Sequence, residues 1–300
     1  MAFQLKPAES VGKGVKRIVR KQLDNALEEL GAPNRDEVVH EIRKRFKRVR
    51  AVLRLVRDGL GDDVYRRENA CFRDAARPLT EVRDAMVLVE ALDKLAEAAA
   101  GHKGAAALPR VRQILQADLQ AVRQHVLDEE GAFARVRELV QGARARLRDW
   151  SIRHKGWSAI RPGLKRVYKN ARLALAGARA DRTTENLHEW RKQTKYLWHQ
   201  LQLLEPTCPE AMKELVERSH ELTQLLGDDH DLAVLRAKVT DDSPRFAANS
   251  ALDSLLELLD RRRREIQEKA FVMAEPFFSA GPKEFTCRLK HYWKAWRKKR

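Results

Sequence analysis

The chain has few of the residues that mark several common classes of protein. Its three cysteines, Cys71, Cys208 and Cys287, are odd in number and far apart, which argues against a disulfide framework and against a cysteine-based zinc site. No run approaches the roughly 18 to 20 apolar residues that a membrane span needs, and residues 1–6 lack the apolar core of a signal peptide. We therefore expect a cytoplasmic protein with no membrane span.

Aromatic residues are also scarce, at 6% of 300 residues, whereas basic residues are in excess. Sixty Lys and Arg residues against 43 Asp and Glu residues give a formal net charge of +17. Such an excess favours a polyanionic partner. Apolar residues make up 43% of the chain, as in globular proteins, so we expect a folded body to carry the charge.

Apolar residues recur at intervals of three and four along almost the whole chain, which is the period of an amphipathic α-helix. Strict alternation is nearly absent, so we predict an all-α protein with at most a strand or two. The predicted helices cover residues 8–30, 35–60, 62–78, 80–99, 108–128, 132–150, 157–177, 182–205, 209–226, 228–240, 250–274 and 282–298.

The motif His-Glu-x-Arg-Lys occurs at 40–44 and again at 188–192, which is 148 positions later and about half the chain. At nearly the same distance, residues 14–20 resemble 163–169, and residues 79–88 resemble 226–235. This period indicates a tandem duplication rather than a solenoid, whose repeats are shorter. We predict two helical repeats, 1–150 and 151–300, related by a pseudo-twofold axis.

Each copy of the motif places basic residues on one face of its helix and apolar residues on the adjacent face. At about 100° per residue, the basic faces carry His40, Arg43, Lys44, Lys47 and Arg54 in the first copy, and His188, Arg191, Lys192, Lys195 and His199 in the second. The simplest alternative is a solvated helix face. Such faces usually mix both signs of charge, whereas these stripes are almost purely cationic and recur in both halves. We therefore interpret them as ligand-binding.

A second pair of basic stripes precedes the motif helices in sequence. One consists of Lys13, Lys16, Arg17, Arg20 and Lys21, and the other of Arg161, Lys165, Lys169 and Arg172. We expect the four basic helices to line one groove or channel. Because crowded like charges destabilise an empty site, such a surface fits a polyanion that fills it.

The residue types point to phosphate oxygens as the ligand atoms. The planar guanidinium of Arg can donate two parallel hydrogen bonds to a phosphate, and the ammonium of Lys supplies a compact positive charge. His40, His188 and His199 could add hydrogen bonds when protonated. Neither stacking aromatics nor a helix-turn-helix is evident, so sequence-specific nucleic-acid binding is not expected. The expected ligand is a charged backbone without bases to read.

Two further segments lie downstream of the motif copies: Leu-x-x-x-Arg-Asp at 79–84 and Leu-Gly-x-x-x-Asp at 226–231. In this order and spacing, over nearly the whole chain, the motifs resemble the CHAD domain, the conserved histidine α-helical domain. The resemblance implies two pseudo-symmetric helical bundles with a basic central pore or groove that binds inorganic polyphosphate. It also implies association with polyphosphate granules in bacteria. A monomer and a homodimer both remain open.

The resemblance points to eight residues already chosen from the helical stripes: His40, Arg43, Lys44, Lys47, His188, Arg191, Lys192 and Lys195. The full set that we predict for polyphosphate binding adds Lys13, Lys16, Arg17, Arg20, Arg50, Arg54, Arg83, Lys165, Lys169 and His199. Arg83 either contacts the ligand or orients the basic surface through an ion pair. Tyr196 and Trp198 stand opposite Arg48 and Arg50, so the two halves of the site need not bind equally.

Metal and enzyme interpretations fit less well. Lys44 and Lys192 stand where a His-Glu-x-x-His zinc motif has its second histidine. The segment Asp228–Asp231 is the one candidate metal cluster, and we favour helix capping and local electrostatics there. No Gly-rich phosphate loop or nucleophile elbow is evident. We predict a binding protein without catalytic activity, metal or cofactor; the alternatives are a non-specific nucleic-acid-binding protein and a polyphosphate-processing enzyme.

Overall fold

A computed structural model describes residues 3–99, 102–246 and 250–298, and these ranges contain helices but no β-strand. The prediction of an all-α fold is confirmed. The helices are α1 (Val11–Glu29), α2 (Arg35–Leu60), α3 (Asp62–Ala76), α4 (Thr80–Ala98), α5 (Leu108–Arg123), α6 (Ala132–Arg146), α7 (Trp157–Ala180), α8 (Thr184–Leu204), α9 (Pro209–Asp241), the short α10 (Ser243–Phe246), α11 (Ser250–Phe277) and α12 (Pro282–Lys298). Shorter turns join them: 3-10 turns at Arg77–Leu79, Lys103–Ala107, Leu147–Asp149 and Glu205–Thr207, and a π turn at Gln124–Glu129.

Helix α2, which carries the first motif copy, has the bounds that the sequence predicts. Its first turn is capped by Asn34, whose Oδ1 accepts a hydrogen bond of 3.3 Å from the Glu37 amide. It ends at Leu60, and the next residue is Gly61, whose φ of 90° lies in a region that favours glycine. Both signals are local in sequence, which explains why these bounds could be predicted. Within the described ranges, no helix has both the length and the apolar character required to cross a bilayer.

Helix α9 corrects one prediction, because the expected helices 209–226 and 228–240 form a single helix, Pro209–Asp241. Gly227 does not end the helix; its missing side chain faces the Arg191 guanidinium, whose Nε would lie 3.8 Å from a Cβ at that position. The segment 228–231 is therefore mid-helix, and the capping role that we favoured for it is wrong. Asp229 is instead buried and accepts hydrogen bonds from Arg263 Nε (3.1 Å) and Gln267 Nε2 (2.8 Å) of α11.

Helices α2 and α8, which carry the two motif copies, pack against each other and against α7. Between α2 and α8, the Gln200 Nε2 donates a hydrogen bond of 3.3 Å to the Ala51 carbonyl. Between α2 and α7 the backbones touch: a Cβ at Gly163 would lie 2.1 Å from the Leu55 carbonyl oxygen. Trp190 of α8 is fully buried, and its ring stacks on that of Phe271, with 5.1 Å between centroids. The motif helices are therefore closely packed against each other, α7 and the core.

A second apolar cluster holds α4 and α9 beside the motif helices. It joins α4, α5, α9 and α11 through buried residues that include Leu92, Val111, Leu235 and Leu255. Helix α4 also contacts α2, and α9 also contacts α8 and α4. The four helices α2, α4, α9 and α8 therefore contact one another in a closed cycle, and they enclose a space between them.

Candidate functional site

A cleft of about 730 Å³ lies between α2, α4, α8 and α9. Seven Lys and Arg side chains line it: Arg43, Lys44, Lys47, Arg83, Lys94, Arg191 and Lys195. Three aspartates, Asp84, Asp228 and Asp231, and five histidines, His40, His188, His199, His220 and His230, complete its ionisable lining. With neutral histidines, the lining has a net charge of +4.

Nine of the eighteen residues predicted to bind polyphosphate line this cleft: His40, Arg43, Lys44, Lys47, Arg83, His188, Arg191, Lys195 and His199. Both motif copies therefore contribute to one cleft. The other nine do not line it: Lys13, Lys16, Arg17, Arg20, Arg50, Arg54, Lys165, Lys169 and Lys192. Of these, Lys192 is an exposed side chain that pairs with Glu189 on its own helix.

The basic stripes of α1 and α7 lie outside the cleft, whose remaining two sides come from α4 and α9. Helix α1 packs on the side of α2 that faces away from the cleft. Arg45 of α2 hydrogen-bonds to Gln22 and Glu29 of α1. This residue lies about 160° around the α2 axis from Arg43 and Lys47, which line the cleft. The α1 stripe then faces outward from α1 and lines a separate shallow depression. On α7, Lys169 is exposed and Lys165 partly exposed. Buried apolar faces thus decide which helices meet, and they turn these two stripes away from the cleft.

Arg50 and Arg54 connect α2 to its neighbours instead of lining the cleft. Both guanidinium groups donate to Asn69 Oδ1 of α3, at 3.1 Å from Arg50 Nε and 3.0 Å from Arg54 Nη1. The Arg54 guanidinium also lies 3.8 Å from the ring centroid of Tyr196 on α8, a cation–π contact. Their role in this structure is packing.

Arg43 and Arg191 occupy corresponding places in the two motif copies, and each has an aspartate nearby. Arg43 Nη1 donates to the Ala76 carbonyl (3.1 Å) and to Thr80 Oγ1 (2.7 Å) at the start of α4. Burial lowers the pKa of both arginines, while the charges of Asp84 and Asp231 respectively oppose that effect. Burial in turn raises the pKa of both aspartates. These carboxylates are the main counter-charges of the two arginines.

Lys47 and Lys195 are the least compensated cations of the cleft. Among the contacts of the described residues, neither ammonium group has an ion-pair or hydrogen-bond partner. Burial, reinforced by repulsion from Arg191 and other cations, lowers the pKa of Lys195 to about 8. Burial and the charge of Lys195 lower the pKa of Lys47 well below its ordinary value. The free cleft therefore holds positive charge at a cost in stability.

The histidines of the cleft are neutral near pH 7 when it is empty. The Nδ1 atoms of His188 and His230 lie 3.3 Å apart, and burial lowers the pKa of His230 to about 4. Burial also lowers the pKa values of His40 and His188. His199 is fully buried, its Nδ1 lies 3.0 Å from Gln202 Oε1, and its pKa is about 3 because of burial. Of the histidines predicted to donate hydrogen bonds when protonated, His199 is thus the least able to gain a proton.

Arg83 acts on both sides of the cleft. Its guanidinium is held by Glu90, two turns further along α4, with distances of 2.7 and 3.0 Å. Its charge lowers the pKa values of Lys47 and Arg43 on α2 and of Lys195 and Arg191 on α8. Arg83 lines the cleft and is itself ion-paired with Glu90, so both alternatives, contact with the ligand and orientation of the basic surface through an ion pair, stay predictions.

Sequence reasoning missed several lining residues on α4, α8 and α9. Lys94 pairs with Asp228 across the α4–α9 contact, at 2.9 Å. Trp198 stacks between His199 and His220, with 4.5 Å between centroids on each side. A signal was present, because Lys94 follows Arg83 by three helical turns and His220 precedes Asp231 by three turns, on the same face in each case. In the part of the chain that the structure describes, no three His, Cys, Asp or Glu side chains are arranged to hold a metal ion.

Comparisons with known proteins agree with this architecture. The structure of PptA from Streptomyces chartreusis is similar, with a TM-score of 0.63 and 16% sequence identity over 90% of this chain and 99% of that chain. At this identity the likeness concerns the fold. No curated protein sequence matches the chain. The family model of the CHAD domain matches residues 17–240, a span that contains both motif copies and every residue that lines the cleft. The chain therefore belongs to the CHAD domain family.

Proposed function

We propose that the protein binds inorganic polyphosphate in the cleft between α2, α4, α8 and α9, and that it does not turn the ligand over. CHAD domains are associated with polyphosphate binding in general. The observation that carries the proposal is the convergence of cations from both motif copies, above all the unpaired Lys47 and Lys195, on one cleft.

The electrostatics of the cleft support an anionic ligand with several closely spaced charges. Lys47 and Lys195 repel each other and the neighbouring arginines, so one bound phosphate chain relieves several unfavourable interactions at once. The bound chain raises the pKa of each lysine back towards its ordinary value. Arg43 and Arg191 then exchange part of their interaction with Asp84 and Asp231 for contacts with phosphate oxygens.

A ligand without bases fits the cleft better than a nucleic acid does. Trp198 is its one aromatic lining residue apart from the histidines, among the residues that the structure describes. This ring is already stacked on the imidazoles of His199 and His220, with 4.5 Å between centroids in each case. Base stacking, which dominates non-specific binding of single strands, therefore has no free aromatic platform here.

Correspondence between the motif copies supports a duplication with the cleft at its pseudo-twofold axis. Arg43 and Asp84 in the first half match Arg191 and Asp231 in the second, and Lys47 matches Lys195. One chain supplies both sides of the cleft, so the proposed site needs no partner subunit. We extend the proposal to a cytoplasmic protein that associates with polyphosphate granules.

The test is a polyphosphate titration of the wild type and of the double variant Lys47→Gln/Lys195→Gln. Neither side chain has a partner to lose, so the fold should remain intact. We expect affinity to fall at least tenfold, and the slope of log K against log salt to flatten by about 1.4 to 1.8, since about 0.7 to 0.9 is expected per phosphate contact. The control is Arg264→Gln/Lys269→Gln, which removes two exposed charges of α11 and should change affinity less than twofold.

Two further arms address the alternative functions. Duplex DNA at equal phosphate concentration should fail to displace bound polyphosphate; displacement would favour a non-specific nucleic-acid-binding protein. Incubation with polyphosphate and Mg²⁺ for hours should release no orthophosphate. Release that depends on both Mg²⁺ and the cleft lysines would instead identify a polyphosphate-processing enzyme.

A further inference from the structure

The cleft accounts for only a small part of the excess positive charge. Its lining has a net charge of +4, from seven Lys and Arg side chains and three aspartates, whereas the whole chain has +17. Most of the excess therefore lies on other surfaces. One such surface is the stripe of α1 formed by Lys13, Lys16, Arg17, Arg20 and Lys21, here called the outer stripe.

The outer stripe is a partly fixed and partly free basic surface. The Lys16 ammonium donates a hydrogen bond of 2.9 Å to the Arg148 carbonyl, and the Arg17 guanidinium is held by Glu9 and the Gln4 carbonyl. Lys13, Arg20 and Lys21 are exposed, and among the contacts of the described residues their side chains have no ion-pair partner. Together these five cations line a shallow depression of about 450 Å³.

Little negative charge opposes the outer stripe. The one acidic residue that lines the depression is Asp24, at its end, and Asp24 already pairs with Arg144 of α6. Glu9 is engaged by Arg17. A solvated helix face normally mixes charges of both signs, so an anion is the ligand that this surface suits.

The outer stripe is separate from the cleft. Helix α1 packs on the side of α2 that faces away from the cleft, and the stripe lies on the side of α1 that faces away from α2. At about 8 to 10 Å between packed helix axes, the two surfaces are roughly 20 Å apart. Only an extended ligand can contact both surfaces at once.

We propose that the outer stripe is a second polyphosphate-binding surface, which engages the part of a long chain that extends beyond the cleft. This inference rests on the proposed function of the cleft. Once the cleft has captured one part of the chain, the remainder is held near α1 at a high effective concentration, and even weak contacts then increase the overall affinity. A chain too short to reach α1 gains nothing from the stripe.

The experiment compares a short polyphosphate, the shortest chain that saturates the cleft, with a chain of several hundred phosphates. The variant is Lys13→Gln/Arg20→Gln/Lys21→Gln, which changes three exposed side chains to a residue that is also favourable in helices. We expect its affinity for the short chain to stay within twofold of the wild type and its affinity for the long chain to fall at least tenfold. For the long chain, the salt dependence should flatten by about 2 to 2.7, at about 0.7 to 0.9 per contact.

A matched control removes the same charge elsewhere. Arg261→Gln/Arg264→Gln/Lys269→Gln changes three exposed residues of α11 and should leave both affinities within twofold. If this control weakens long-chain binding as much as the α1 variant does, net charge alone is responsible and the inference is overturned. Equal losses for short and long chains in the α1 variant would overturn it as well. The inference is also overturned if the α1 variant no longer binds single-stranded DNA but binds long polyphosphate as tightly as the wild type does.

Failure of this inference can be told apart from failure of the proposed function. If Lys47→Gln/Lys195→Gln binds the short chain as tightly as the wild type, the cleft is not the site and the proposed function fails. If that variant loses the short chain while the α1 variant binds both lengths normally, the cleft stands and only the outer stripe is refuted.

Discussion

Replacing Lys195 by methionine is expected to stabilise the ligand-free protein while it weakens polyphosphate binding. Methionine keeps most of the aliphatic length of the side chain and removes the ammonium group. In the empty cleft that group has no partner and is repelled by Arg191, Arg83 and Lys44. Its removal therefore relieves the cost of burial and this repulsion in the folded state, and gives up only the opposing attraction of Asp231, with which Lys195 makes no hydrogen bond or ion pair.

The size of the effect follows from the pKa of Lys195, which falls from its ordinary value of 10.5 to about 8. At about 1.36 kcal/mol per pKa unit, the charged side chain destabilises the folded state by at most about 3.4 kcal/mol. The side chain is partly exposed, so solvent screening reduces this figure. We expect a gain of about 1 to 3 kcal/mol at pH 7, which corresponds to a rise in Tm of about 2 to 6 °C.

The pH dependence of this gain has a definite sign. The pKa of Lys195 is lower in the folded than in the unfolded protein, so below about pH 8 both states carry the proton and the folded state bears the full penalty. As pH rises from about 8 towards 10.5, the folded protein loses the proton first and the penalty disappears. The stability difference between Lys195→Met and the wild type should therefore be largest at pH 7 and smaller at pH 9.5.

The assay is urea unfolding of both proteins at pH 7 and pH 9.5, without polyphosphate. The control is Lys192→Met on the same helix, which removes an exposed, ion-paired lysine and should cost less than about 1 kcal/mol at both pH values. If Lys195→Met is less stable than the wild type at pH 7, or if the difference does not shrink at pH 9.5, the ammonium group is not under the repulsion described here.

Three further outcomes are expected. Gly163→Ala should lower the free energy of unfolding, measured in urea, by about 3 kcal/mol or more, because the added Cβ would lie 2.1 Å from the Leu55 carbonyl oxygen. Gly177→Ala should instead raise the free energy of unfolding by about 0.5 to 1 kcal/mol, because nothing lies within 4 Å of a Cβ there. Polyphosphate affinity, measured by calorimetric titration at constant ionic strength, should decline by up to about tenfold per pH unit for each lysine that must take up a proton on binding, which holds above pH 8 for Lys195. Burial lowers the pKa of Lys47 as well, so Lys195→Arg should make the decline shallower and Lys47→Arg/Lys195→Arg should remove most of it. Trp190→Ala should destabilise by about 3 to 5 kcal/mol, because the ring is fully buried, and a loss below 1 kcal/mol would contradict its place in the core.

Much of the fold could be predicted from the sequence because its helices are long and strongly amphipathic. The bounds of α2 follow from Asn34 and Gly61, which act locally. Helix α9 shows where local reasoning fails. Glycine disfavours a helix interior, so the sequence predicts a helix end at Gly227, yet this residue lies in the middle of α9. Packing against Arg191 on one side and the core on the other outweighs the modest cost of a glycine there.

The candidate site was predictable in part. Helical spacing identifies cationic faces, and those of α2 and α8 do converge on one cleft. Helical spacing does not show which faces meet in the fold. The stripes of α1 and α2 have similar basic sequences, and only the packing of their apolar faces decides which of them lines the cleft. Arg50 and Arg54 show the same limit, because their engagement by Asn69 and Tyr196 depends on where α3 and α8 lie.

The position of Trp198 has a practical consequence. Of the six tryptophans in the chain, all of them within the described residues, only Trp198 lines the cleft. Its indole stacks on the imidazoles of His199 and His220 at the cleft, whereas Trp150 and Trp190 are buried in the apolar core. The cleft thus contains its own fluorophore, and its occupancy can be followed by intrinsic emission, with Trp198→Phe as the silent reference, without attaching a label to the protein or to the ligand.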